Sequence, residues 1–414
     1  MEKRLWTKDF TLVVIGQIIS LFGNAAIRFV LPLYLLNQTG SSALYGTVTA
    51  CAFVPAIVLS PVGGIVADRV NKRNIMVILD FSTAGLIAAF SLSEGSGNLV
   101  VMITVTLMLL YGIAGAYQPS VQASIPALVS QENILAANSV VNIVNSFSAL
   151  LGPVLGGILY SLWGLKPVLY MCAGCFFLSA VMELFIRIPF AGQKKAGGMW
   201  KTVREDFAES IRFIRREEPV IGKALFAVCG INMFLSAMLV VGIPYIVTEV
   251  LPFEPDAAKR LCGYAEGALA AGGLAGGISA GVFSGKLTMK KAENLIVACA
   301  VWVFPMGITM ALFSSGMINY MVILACCFFI IACSTIFTVM IMSFVQAKTP
   351  GNLIGKVIAV MLTVSMCAQP LGNAMYGVLF GICRGYEFAV VLFGGAVSLF
   401  IAVGAKKVFQ KYTL

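Results

Sequence analysis

Apolar runs about 20 residues long, broken by short polar stretches, recur from one end of the chain to the other. Twelve can be delimited: 10–36, 43–66, 75–92, 99–122, 136–160, 167–188, 222–247, 261–283, 294–314, 319–346, 356–381 and 386–405. As a helix, each is long enough to cross the ~30 Å hydrocarbon core of a bilayer. The pattern therefore predicts an all-α membrane protein with twelve transmembrane helices, called segments 1 to 12 below. One polar break is longer than the rest. In it Trp200, Val203, Phe207, Ile211 and Ile214 recur at spacings of three and four, with Lys, Arg, Asp and Glu on the other face, which predicts an amphipathic helix lying at a membrane surface. The expected organisation is a six-helix bundle over 1–190, a cytoplasmic amphipathic linker over 191–221 and a second six-helix bundle over 222–414.

Composition agrees: 59% of the 414 residues are hydrophobic and 11% charged, which excludes a water-soluble globular reading. The net charge of +10 is arranged by membrane side. With the N-terminus inside, the outer loops hold Lys166, Lys259, Arg260 and Arg384. Arg28 lies within the membrane, and all other Lys and Arg fall on inner segments or inner helix ends. This positive-inside asymmetry places both termini in the cytoplasm and excludes a nucleic-acid-binding patch. The first run is too long for a cleaved signal peptide and is expected to act as an uncleaved anchor. Most cysteines fall in the apolar runs, which suits packing better than disulfides; "CAGC" at 172–175 lacks the further ligands of a zinc site, and no metal is expected.

The two blocks of six are related. Laying the stretch from Tyr45 on that from Cys262 pairs Gly46 with Gly263, Gly64 with Gly281 and Arg69 with Lys286, and the same gapless offset later sets Pro153 on Pro370. Parallel six-helix repeats are a transporter architecture, with a substrate site near the midplane. Between segments 2 and 3 stands "GGIVADRVNKRN", in which Gly64, Asp68, Arg69, Lys72 and Arg73 match G-x-x-x-D-R-x-G-[KR]-[KR]. Segment 5 contains "SALLGPVLGGILY", in which Gly152, Pro153, Gly156 and Gly157 match G-P-x-x-G-G. On these motifs the chain resembles the major facilitator superfamily. The longer stretch "QASIPALVSQENILAANSVVNIVNSFSALLGPVLGG", with "IGQIISLFG" in segment 1, is similar to its bacterial macrolide-efflux and siderophore-exporter branch.

The resemblance implies a cytoplasmic latch at Gly64, Asp68, Arg69, Lys72 and Arg73, with Asp68 held near the start of segment 11. Asn71 stands where the motif has a second glycine, and its tolerance of left-handed turns makes the change acceptable. The second half has Gly285 in place of Asp68, so the latch is not symmetric. It implies too that segments 5 and 8 meet between the halves. Gly152, Pro153, Gly156 and Gly157 would then face Gly273, Gly277 and Gly281 across a hinge seam of close, bendable helices.

Polar residues form stripes within the runs. Gln17, Ser20, Asn24 and Arg28 share one face of segment 1; Tyr111, Gln118 and Gln122 lie in segment 4, Asn138, Asn142 and Asn145 in segment 5, and Asn232 and Ser236 in segment 7. By resemblance segments 1, 4, 7 and 10 line the central cavity, so these residues are expected to meet substrate. An arginine at a helix centre costs roughly 2.5–3.5 kcal/mol even on mild scales, so Arg28 needs water or a partner. Glu266 in segment 8 is the expected one, unless both face an outer vestibule. Glu183 is explained locally by Arg187 one turn on, and Asp80 is expected near the basic loop. The chain has no histidine, so a proton gradient would act through a buried carboxyl, Glu266 first and Asp80 second.

No nucleotide-binding loop or catalytic constellation is present, so neither an enzyme nor an organic cofactor is expected. The sequence predicts a monomeric secondary transporter of the bacterial plasma membrane that exports an amphipathic organic compound, drug- or macrolide-like, against protons. Two alternatives remain: import or lipid carriage of an anionic substrate bound by Arg28, and a non-transporting membrane sensor or scaffold.

Overall fold

The computed structural model of the chain describes residues 5–93, 97–130, 133–188, 199–282, 289–350 and 353–410, and within these every regular element is a helix. In chain order they are α1 (Lys8–Thr39), α2 (Ser42–Arg69), α3 (Lys72–Ser93), α4 (Leu99–Leu128), α5 (Ile134–Trp163), α6 (Leu165–Leu184), α7 (Met199–Arg216) and α8 (Pro219–Val250). There follow α9 (Pro255–Val282), α10 (Met289–Val301), α11 (Val303–Leu312), α12 (Gly316–Lys348), α13 (Ile354–Ile382) and α14 (Glu387–Gln410). Among the described residues, eleven spans are long and apolar enough to cross a membrane. The remaining segment of the expected twelve is α9, 28 residues long, whose first half carries Asp256, Lys259, Arg260 and Glu266.

The chain packs as two compact units whose boundaries interleave. Unit 1 comprises Met1–Thr39, Cys51–Ala196 and Lys259–Gly267; unit 2 comprises Gly40–Ala50, Gly197–Ala258 and Ala268–Leu414. Each unit thus takes a short piece of helix from the other half of the sequence, and the repeat read from the sequence supplies both. In unit 1, a Cβ on Gly263 of α9 would lie 2.7 Å from the carbonyl oxygen of Pro153 and 3.4 Å from Gly157 Cα on α5. In unit 2, Gly46 of α2 meets the carbonyl oxygen of Asn373 on α13, with Gly377 Cα 2.7 Å from where its Cβ would be. Only glycine lets two backbones approach this closely. Beside that crossing Ser42 Oγ donates to the carbonyl of Gly377 at 2.9 Å.

In unit 1, α1 is the central helix, packed on α4, α5 and α6, while α3 packs on α6. Its apolar core joins Phe10, Val13 and Val14 of α1 to Met76, Tyr117, Val121 and Val141. Asn71 precedes α3 and caps it: its side-chain Oδ1 accepts the Arg73 N–H at 3.1 Å, and its carbonyl accepts Ile75 N–H. No described non-glycine residue has positive φ. The left-handed role expected for Asn71 is therefore corrected to a helix N-cap, which Asn fills well.

In unit 2, α8 is helical throughout but widens into π-turns at Ile231–Ser236 and Ile246–Val250. Such a turn frees carbonyls from the regular ladder and shifts the backbone outward. Gly372 of α13 lies against the carbonyl of Met233 there, and Tyr376 Oη donates to the carbonyl of Phe234 at 2.7 Å. The Phe380 ring then stacks near Tyr376 and Tyr245, with centroids at 6.2 and 5.6 Å.

The amphipathic linker is helical as α7 and packs on α8 and α13. Its buried face is Ser210, Phe213 and Ile214, while Phe207 is exposed and Ile211 half-buried. Ile214 of the expected stripe is thus buried within the protein, and Phe213, absent from the stripe, is buried beside it. The side chains of Trp200 and Val203 lie outside the described residues.

Candidate transport site

The stripe on α1 divides into two environments. Arg28 is half-buried, with its guanidinium carbon 3.6 Å from the centre of the Tyr111 ring on α4 and one NH2 group donating to the carbonyl of Leu110 at 3.3 Å. The Phe53 ring of α2 backs Tyr111 with centroids 5.0 Å apart. A cation over an aromatic face keeps part of the stabilisation that water would give. No ion pair joins Arg28 to Glu266 among the described residues, so the expected pairing is corrected to a cation–π contact. Asn24, one turn earlier, is half-buried.

Gln17 and Ser20, on the same arc of α1, are buried in the packed interior of unit 1, and this corrects their assignment to an open cavity. Gln17 Nε2 donates to Tyr117 Oη at 2.8 Å, Tyr117 Oη donates to Glu183 Oε1 at 2.7 Å, and Ser20 Oγ donates to Asp80 Oδ1 at 3.1 Å. Next to them Ser179 Oγ of α6 donates to the carbonyl of Gly16 at 3.1 Å. The network links α1, α3, α4 and α6. Asp80 belongs to it rather than to the basic loop. Glu183 belongs to it too, and the expected pair with Arg187 fails because α6 ends at Leu184: Arg187 lies beyond the helix, where its backbone N–H meets Asp9 Oδ1 at 3.0 Å.

Tyr117 was not among the candidates, although its position offered a signal: a phenol in a membrane helix needs a partner, and here it finds two. On the rest of α4, Gln118 is half-buried and Gln122 exposed; on α5, Asn142 is exposed and Asn145 half-buried, and the side chain of Asn138 lies outside the described residues. Asn232 Nδ2 donates to the carbonyl of Ser365 at 3.1 Å, tying the π-turn of α8 to α13, and Ser236 is half-buried.

The latch can be followed in part. The side chains of Gly64, Asp68 and Arg69 lie outside the described residues, as does Lys286. Arg73 closes the end of α6: its Nε donates to the carbonyl of Glu183 at 3.4 Å, which also accepts Ile186 N–H, and an NH2 group donates to that of Leu184. Lys72 is half-buried.

The glycine seam is corrected in register. Gly152 and Gly156 of α5 face α1, at Ala25, Ala26 and Val30; Gly157 faces Lys259 and Gly263 of α9. The α9 glycines that approach another backbone lower down are Gly272 and Gly276, against Phe328 and Ala332 of α12. Gly273 makes only ordinary contact and Gly277 has open space, while the side-chain position of Gly281 lies outside the described residues.

A helical membrane protein of twelve segments in two repeated sets, crossed at twin glycines, is a secondary-transporter fold. The chain belongs to the Major Facilitator Superfamily, whose sequence model matches residues 13–373. It is 22% identical over 378 residues to "Macrolide efflux protein A" of Streptococcus pyogenes, covering 90% of this chain and 89% of that one. It is 27% identical over 241 residues to "Lysophospholipid transporter LplT" of Yersinia pestis, over 57% of this chain and 55% of that one. Among solved structures it is similar to the nucleoside transporter NupG, with a TM-score of 0.74, 13% identity and coverage of 98% and 100%. The chain is a multi-pass membrane transporter and not an enzyme.

Proposed function

We propose that this transporter exports an amphipathic organic compound of drug or macrolide type across the bacterial plasma membrane, by alternating access and in exchange for protons. The observation that carries the reading is the similarity to a macrolide efflux protein over 378 residues, 90% of this chain. The inward bias of Lys and Arg supports cytoplasmic termini. Arg28 and Tyr111, with Phe53 behind them, offer an aromatic and cationic surface suited to an amphipathic guest. Glu266, half-buried in the first half of α9 and without an ion-pair partner among the described residues, is the proton carrier in this reading.

A substrate-panel susceptibility test in a drug-sensitive bacterial host checks it. Expression should raise resistance to at least one macrolide or lipophilic cationic compound and lower its accumulation. Unchanged resistance and accumulation across the panel, with the chain present in the membrane, would overturn export. In vesicles with an imposed pH gradient, Glu266→Gln should abolish proton-driven uptake of the exported compound; undiminished uptake refutes that carrier.

One observation favours a second reading: the similarity to a lysophospholipid transporter over 57% of the chain, together with an intramembrane arginine. There Arg28 would hold a phosphate or carboxylate. Transport of an anionic lipid that disappears in Arg28→Gln would establish it.

A further inference from the structure

Three buried amide and carboxyl oxygens in unit 1 have no hydrogen-bond donor among the described residues: Gln17 Oε1, Asp80 Oδ2 and Glu183 Oε2. Their residues are 1%, 2% and 1% exposed and come from α1, α3 and α6. The orientation of the Gln17 amide follows from chemistry. With Glu183 ionised, Tyr117 gives its single phenolic proton to Glu183 Oε1, the group reaching its oxygen from Gln17 is then the NH2, and the amide oxygen is left without a donor.

Neighbouring charges do not resolve this. Asp80 has only hydroxyls beside its carboxyl, Ser20 donating to Oδ1 and Ser179 within hydrogen-bond reach, and Glu183 has Tyr117. Arg73, in the first turn of α3, gives its guanidinium to the carbonyls of Glu183 and Leu184. Arg28, two turns beyond Ser20 on α1, is held by Tyr111 and Leu110. Two carboxyl groups out of water without a cation are costly. A single proton placed on either carboxyl serves one acceptor and leaves another bare; two protons, one on each carboxyl, are the rival that the test below must exclude.

We propose that Gln17, Asp80 and Glu183 form a binding site for a hard metal cation of the Na⁺ or Ca²⁺ class, inside the bundle of α1, α3, α4 and α6. The donors are all oxygen, with the hydroxyls of Ser20 and Tyr117 adjacent, and the chain has no histidine to favour a softer transition metal. A bound cation satisfies all three oxygens at once and ties together three helices. Its use as a coupling ion rests on the transport reading above; its binding does not.

The test uses the full chain purified in detergent, in choline buffer at constant ionic strength, with Na⁺, Ca²⁺ or Mg²⁺ added in turn. Na⁺ or Ca²⁺ should raise the melting temperature saturably, and the matching radioactive ion should bind at one per chain; which of the two does so identifies the ion. Mg²⁺ serves as control, because it demands a tighter octahedral shell. Asp80→Asn and Glu183→Gln keep side-chain shape and should weaken half-saturation by about tenfold or more, one ligand's share in a site of few ligands. If either fails to fold, Gln17→Met, which removes the amide oxygen together with the NH2 bonded to Tyr117, should show the same weakening. Absence of saturable binding of both ions overturns the proposal, as does binding unchanged in every variant that folds. Stabilisation that follows pH and is equal in all salts also overturns it, by assigning the bare oxygens to protons. A chain that binds the ion but exports nothing refutes the export reading and leaves the site standing.

Discussion

Unit 1 and unit 2 carry one repeated pattern, yet they differ in what their buried polar groups meet. In unit 1, Ser179 and Arg28 meet backbone carbonyls, but the buried acids are answered by side chains: Gln17, Tyr117 and Glu183 form a chain, and Ser20 answers Asp80. In unit 2, side chains answer the backbone: Tyr376 reaches the Phe234 carbonyl, Asn232 the Ser365 carbonyl and Ser42 the Gly377 carbonyl. The first of these acceptors lies within the π-turn of α8. The difference teaches where ionisable chemistry resides. A network of side chains can gain or lose a proton or an ion, whereas a phenol bonded to a carbonyl only fixes geometry.

What the units share is the glycine crossing, and breaking it should have the largest effect. Gly263→Val and Gly46→Val each place a branched side chain where a backbone already lies. Overpacking of this kind costs about 1–3 kcal/mol or more, and both variants should lose most transport in a whole-cell accumulation assay. Gly277→Val should leave transport near the unaltered level, because nothing lies within 4 Å of its Cβ position. Loss in Gly277→Val but not in Gly263→Val would restore the seam register expected from the sequence.

The next effect separates the units directly. Tyr117→Phe removes one hydroxyl but strips two neighbours, the Gln17 amide N–H and Glu183 Oε1. Tyr376→Phe strips only the Phe234 carbonyl. Groups left bare in the interior cost about 1–3 kcal/mol each, though in membrane bundles single bonds average nearer ~0.6 kcal/mol. Thermal unfolding in detergent should therefore show Tyr117→Phe as the more damaging variant. Equal melting temperatures would remove the contrast between the two units.

The sequence carried the helices, the two sets of six and the repeat, because hydrophobic run length and positive-inside bias are dictated by lipid and need no tertiary contact. Even Gly46 and Gly263 could be paired before any contact was known, and both proved to be crossing points. Direction around a helix was harder to read. Gln17 and Ser20 lie near Asn24 and Arg28 on one arc, but a polar residue in a membrane helix can face either water or a buried acid, and the sequence does not say which. The partner of Glu183 was misread for a related reason: an i,i+4 pair requires the helix to continue, and α6 stops one turn early, at Leu184. Arg28 followed from cost alone to a need for a partner, but a tyrosine ring serves as well as a carboxylate, and only tertiary structure chooses between them.

A smaller effect is expected at that ring. Tyr111→Leu keeps apolar bulk and removes the quadrupole beneath the Arg28 guanidinium. A cation–π contact is worth about 0.5–2 kcal/mol, depending on desolvation, and the melting temperature should fall accordingly, with Tyr111→Phe close to the unaltered chain. If Leu and Phe behave alike, the carbonyl of Leu110 alone holds the arginine.

The smallest effect concerns how α7 is attached in unit 2. Lys356 Nζ and Glu209 Oε2 are 2.7 Å apart, but their side chains remain 34% and 51% exposed. Water screens such a pair, and ordering two long side chains offsets most of its attraction, so the coupling between Lys356→Met and Glu209→Gln should be about 0.2–1 kcal/mol. It should nearly vanish in 1 M salt, where the screening length is about 3 Å. Phe213 and Ile214, buried on the same helix, are left as its main attachment. A double-mutant cycle on detergent-solubilised protein, run at low and high salt, measures this directly. A coupling well above 1 kcal/mol that survives high salt would show that α7 is held to α13 by charge, and the two units would then differ less than their interiors suggest.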